Sequence, residues 1–92
     1  MTYPFLTLSD DTEIVHSEMH PDGTVRVDIE RPDAEICFKH ATCWLPAYRW
    51  VDVTGFTDDE VRQLQSIIEA SAHLIIEFSQ TGGFDRAAGF LG

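Results

Sequence analysis

The sequence predicts an α+β domain: an antiparallel four-stranded sheet of two hairpins, with one long C-terminal helix packed on one face. Three observations predict it. Alternating segments flank the turn Pro21-Asp22-Gly23. Two further alternating segments are parted by Pro46-Ala47. The run Thr57-Asp58-Asp59-Glu60 then opens a stretch with helical periodicity. The 92 residues make one domain, read as an N-terminal arm (1–11), a sheet (12–54), a helix (57–80) and a tail (84–92).

In the arm, Phe5, Leu6 and Leu8 are the residues available to pin it to the body, and Ser9-Asp10-Asp11 is a turn cluster. The first hairpin joins Thr12–Met19 to Thr24–Arg31. Pro21 presets φ, Asp22 occupies the bridge region and Gly23 takes a left-handed bulge position. A three-residue loop pairs His20 with Thr24. Counting outward sets Met19, Ser17 and Val15 against Val25, Val27 and Ile29 on an apolar face. The polar face then sets Glu18 against Arg26, His16 against Asp28 and Ile14 against Glu30. Pro32-Asp33 is expected to break the second strand.

A third strand, from Glu35 to Leu45, is fairly apolar on both faces, as an interior strand requires. Tyr48–Thr54 forms the fourth and Gly55 ends it. In the helix, Thr57 is the N-cap, Glu60 reaches back to it, and Asp58 and Asp59 complement the dipole. Gly82-Gly83 is the stop. Val61, Leu64, Ile68, Ala72, Ile75 and Phe78 fall near one line, widened by Ile67, Leu74 and Ile76. That arc spans ~200° where a sheet face needs ~100°. The surplus packs under the arm and tail, or forms a dimer or partner interface. In the tail, Phe84, Ala87, Ala88 and Phe90 are candidates to dock.

Composition narrows the function. Sixteen acidic residues face six Lys and Arg, for a net charge of −10. Such a surface repels nucleic acid and anionic lipid, so neither direct nucleic-acid nor membrane binding is expected, while a basic protein partner is allowed. No apolar run approaches the ~18 residues of a transmembrane helix. The N-terminus lacks the pattern of a secretory signal, which points to the cytoplasm. Cys37 and Cys43 lie ~20 Å apart on an extended strand, too far to bridge, and read as reduced structural thiols.

No catalytic, cofactor or metal motif is present, and the chain is read as a non-enzyme. His40 and Cys43 point to opposite faces of a strand, and neither acidic cluster has calcium-loop spacing. His16, Glu18 and His20 share one face at alternate positions, a spacing better suited to a surface stripe than to a chelate. His73 sits among glutamates in an ordinary helix-surface charge pattern. An enzyme built on His16 with Asp28, or on Cys37 or Cys43, is the remaining catalytic alternative.

The densest aromatic patch runs from Trp44 to Trp50. With Ile76 of the surplus helix arc, it supplies the candidate partner-binding residues Trp44, Tyr48, Arg49, Trp50 and Ile76. An acidic face of Glu18, Asp22, Asp28, Glu30, Asp33 and Glu35 is the candidate surface for a second reading, a nucleic-acid mimic that inhibits a DNA- or RNA-binding protein. At FLTLSDDTEIVHSEM, ATCWLPAYRW and HLIIEFSQTGGFD, over most of its length, the chain resembles short domain-of-unknown-function proteins of gut Firmicutes that often travel in mobile-element neighbourhoods. The resemblance implies an intracellular bacterial accessory protein and assigns no functional residue. The leading expectation is a small acidic protein-interaction module, a homodimer being one form of it.

Overall fold

A computed structural model of the chain describes residues 2–81. The fold is α+β, an antiparallel sheet with one C-terminal helix, but the sheet has five strands rather than four. They are β1 (Thr2–Thr7), β2 (Glu13–Ser17), β3 (Val25–Asp33), β4 (Cys37–Leu45) and β5 (Arg49–Thr54), followed by α1 (Asp58–Thr81). The strands lie in sequence order, each beside the next.

The extra strand is the expected arm. β1 pairs antiparallel with β2, slipping register between Pro4 and Leu6. Pro4 is accommodated because β1 is an edge, where a missing N–H is tolerated. Its Phe5 ring lies 6.3 Å from His16 and 6.2 Å from Phe78, closing one end of the core. Pro32 does not break β3 either. It pairs with Phe38, beyond the last β2–β3 pair (Glu13 with Glu30), where one side of β3 is open.

The first hairpin corrects the expected register by one residue. At the turn the three-residue loop holds, with His20 N–H donating to the Thr24 carbonyl at 2.8 Å. Further along, Ile14 faces Ile29, Val15 faces Asp28 and His16 faces Val27. Between the two registers β2 carries one extra residue, a bulge over Ser17–Met19. Ser17 Oγ stitches it, accepting from Arg26 N–H at 3.0 Å and donating to the Glu18 carbonyl at 2.8 Å. Met19 N–H leaves the sheet and donates to the Ser79 carbonyl at 3.2 Å, in the last turn of α1.

The slip turns Ile14 and His16 inward and Val15 outward. His16 is therefore in the core, not on a polar face opposite Asp28. It is fully buried, its Nδ1–H donates to the Ser17 carbonyl at 2.9 Å, and its Nε2 has no partner among the described residues. The His16, Glu18, His20 stripe is likewise broken. Glu18 accepts from the Tyr3 hydroxyl at 2.7 Å and the His20 ring lies against Trp44.

The central pairing explains where the core sits. Val25, Val27, Ile29 and Arg31 of β3 oppose Leu45, Cys43, Ala41 and Lys39 of β4 on the inner face. The first three pairs are buried against Leu64, Ile68 and Ile75 of α1. The fourth carries two cations where apolar residues would continue the pattern. Their charges fold over the Phe56 ring, at 5.2 Å for Arg31 and 5.9 Å for Lys39. Arg31 Nη1 donates to Glu60 Oε2 at 2.6 Å, Nη2 pairs with Asp10 at 3.2 Å, and Nε donates to Thr12 Oγ1 at 2.7 Å.

The cap of α1 forms as read: Thr57 N–H donates to Glu60 Oε1 at 2.9 Å and Glu60 N–H to Thr57 Oγ1 at 3.2 Å. Part of the wide apolar arc packs against the core through Val61, Ile67 and Ile76, while Leu74 stays exposed. The Gly82-Gly83 stop and the 84–92 tail lie outside the described residues.

Four carboxylates are held below their ordinary range by the bonds that organise this fold. For Asp10 and Asp22 the first cause is the hydroxyl two residues on, Thr12 and Thr24. For Asp33 it is the Glu35 N–H, and for Glu60 the Thr57 N–H. A carboxylate with a lowered folded pKa stabilises above its unfolded value and loses that contribution as pH falls through the folded one. Stability is therefore expected to drop as pH falls below about 4, the ordinary carboxylate range. Thermal melts from pH 7 to 3 check this. Acid also relieves the self-repulsion of a −10 chain, so a melting point still rising at pH 3 would mean that relief outweighs the four bonds.

Candidate binding surface

The helix covers one face of the sheet, and no described element covers the other. Alternation sends a definite set of residues there. Across β3 and β4 the outward pairs are Arg26 with Trp44, Asp28 with Thr42, Glu30 with His40 and Pro32 with Phe38. β2 adds Val15 beside Asp28 and Glu13 beside Glu30. β5 adds Arg49 beside Trp44 and Val51 beside Thr42. This is a mixed face, not the uniformly wet one expected of a two-layer domain.

Its centre is a polar network. Asp28 accepts from Thr42 Oγ1 at 2.6 Å and pairs with Arg26 Nε at 3.0 Å. His40 sits between two carboxylates, with Nε2 3.9 Å from Asp28 and Nδ1 3.7 Å from Glu30. Thr42 Oγ1 is also 3.3 Å from His40 Nε2. A hydroxyl, an imidazole and a carboxylate in sequence invite comparison with a nucleophile and its base. Two facts oppose that use. The Thr42 hydroxyl proton is given to Asp28, and Thr42 is 1% exposed, so no substrate atom reaches it. His16 and Asp28, the catalytic pair considered from sequence, lie on opposite faces of the sheet.

Toward the first hairpin the face becomes concave. The His20 and Trp44 rings are 5.5 Å apart. They line a cavity of about 460 Å³ with Pro21, Leu45, Ala47 and Arg49, and share a second, of about 390 Å³, with Arg26 and Asp28. At the opposite end Phe38 is half exposed beside Pro32.

The candidate partner residues therefore divide. Trp44 and Arg49 meet as a cross-strand pair on the open face. Trp50 is on the helix side, where Nε1 donates to Gln65 Oε1 at 2.9 Å. Tyr48 and Ile76 are half-buried against the core, and burial raises the Tyr48 hydroxyl's pKa. The six acidic candidates also spread out. Glu18 and Asp22 sit near one end of β3 and Asp33 and Glu35 near the other; only Asp28 and Glu30 share the open face between them. Nine residues of strand separate the ends by roughly 30 Å.

Of the two cysteines, Cys37 is exposed and Cys43 is buried, its thiol pushed up to about 11 by desolvation. Among the described residues no group of three His, Cys, Asp or Glu side chains is placed to hold a metal ion, and no helix is long and apolar enough to cross a membrane. Sequence reasoning missed the roles of His20, His40 and Thr42. For His40 and Thr42 the signal was positional: they are polar residues of β4 that alternate with the apolar Ala41 and Cys43. No protein-family model, curated protein or solved structure matches this chain.

Proposed function

We propose that this chain is a small acidic protein-interaction module with no chemistry of its own, an accessory or regulatory factor of a bacterial mobile element that docks a basic protein on its open sheet face. The observation that carries the reading is the composition of that face. A surface with no other role would be evenly polar. This one sets Trp44 and Phe38 at its two ends and an ordered Arg26, Asp28, Thr42, His40, Glu30 network between them. Exposed aromatic anchors and hydrogen-bonded polar groups on one surface are features that binding patches share. The net charge of −10 favours a basic partner and speeds its approach. The nucleic-acid-mimic reading draws support only from Asp28 and Glu30, since its other carboxylates lie at the two ends of the sheet.

The test is a comparative pull-down with tagged wild type, the double variant Trp44→Ala/Phe38→Ala, and Leu74→Ala on the outer side of α1. A basic protein captured by wild type and Leu74→Ala, and lost by the double variant, is the expected result. Equal capture by all three would move the interface off the sheet. A protein lost only with Leu74→Ala would place it on the helix.

A further inference from the structure

We infer that the cavity between His20, Trp44 and Arg49 is a binding site for a small aromatic carboxylate. One cation of the described chain is left over. Sixteen acidic residues compete for six basic ones, so a free basic side chain is unexpected on electrostatic grounds. Arg26 is held by Asp28, Arg31 by Asp10 and Glu60, Lys39 by Glu60, and Arg62 by Asp59. Among the described residues Arg49 is the one Lys or Arg with neither an ion pair nor a hydrogen bond. It is also the one that lines the larger cavity.

The walls define the rest of the ligand. Arg49 and Trp44 are direct cross-strand neighbours, so a flat body lying along the indole brings its anionic end to the guanidinium. Pro21, Leu45 and Ala47 supply apolar wall. A volume of about 460 Å³ is that of a small-molecule site, large enough for one or two fused rings. One charge is the limit. Asp22 is also in the wall, held as a carboxylate by Thr24, and the protein is strongly negative around it. A polyphosphate or other polyanion is repelled, while a monoanion facing Arg49 and away from Asp22 is accepted.

The probe is 2-naphthoate, titrated by calorimetry into the full chain, with 2-naphthylmethylamine as its cationic counterpart. The expected result is a Kd of about 0.1–1 mM for the carboxylate, in line with a ligand of this size, and weaker binding of the amine. Arg49→Gln, at an exposed edge-strand position, should weaken the naphthoate about tenfold. Asp22→Asn keeps the acceptor that the turn needs and removes a repulsive charge, so it should tighten binding about threefold. Arg62→Gln, elsewhere on the surface, should leave it unchanged. The inference is overturned if the amine binds as well as the carboxylate, if Arg49→Gln binds like wild type, or if no heat of binding is seen.

Discussion

Truncating Ile68 to alanine is expected to lower unfolding stability by about 3 kcal/mol, within the range of about 2–5 kcal/mol for emptying a well-packed core site. Ile68 is 1% exposed, midway along the buried stripe of α1, where Leu64 and Ile75 flank it against the inner face of the sheet. The sheet cannot collapse into the space, because its hydrogen-bonded ladder sets the position of Val27, Ile29, Ala41 and Cys43. For a domain of this length such a loss lowers the melting temperature by roughly 12–24 °C. Leu74→Ala, on the exposed side of the same helix, is the control and should stay within about 0.5 kcal/mol. Thermal circular dichroism of the two variants decides the matter. Equal melting points would mean that α1 does not pack on the sheet through the Leu64, Ile68, Ile75 stripe.

Replacing Arg31 by methionine should cost about 2 kcal/mol, or roughly 8–16 °C in melting temperature. Methionine keeps most of the aliphatic stem, so the loss reports on the guanidinium. That group bonds Glu60, Asp10 and Thr12 at once and covers Phe56, while its side chain is 20% exposed. Its removal leaves Lys39, at 3.4 Å, as the one described cation on Glu60, and takes from Asp10 the cation it pairs with. The figure stays below the 3–5 kcal/mol of a fully buried pair because water reaches this cluster. An apolar replacement as stable as wild type would show that the cluster orients the helix start without stabilising it.

What could be read from the sequence was what neighbours in the chain decide. The Thr57–Glu60 cap and the His20–Thr24 closure of the first turn involve residues three or four apart, and both form. The alternation of β3 and β4 likewise identified an interior strand. The one-residue slip could not be read, because it goes with a contact distant in the chain. Met19 N–H finds its acceptor on Ser79, and nothing local announces that. From that slip followed the misplacement of His16 and of the β2 half of the predicted polar face, while Arg26, Asp28 and Glu30 of β3 point outward as read. β1 was not read as a strand, although its Pro4 is compatible with one at a sheet edge. In the candidate site, Trp44 and Arg49 were singled out and are in fact partners. Trp50 came with them on proximity in sequence, and the two-residue period of a strand sent it to the other side of the sheet.

The bond from Met19 to Ser79 ties the first hairpin to the last turn of the helix. Opening either piece breaks this bond, so each opening costs more while the other stays in place. The two are thus coupled, and weakening one should speed hydrogen exchange in the other. The turn that follows Met19 contributes His20, Pro21 and Asp22 to the cavity wall. A ligand or partner held against that wall would therefore slow the breathing of the helix end on the far side of the sheet, a message passed across the domain with no change of shape.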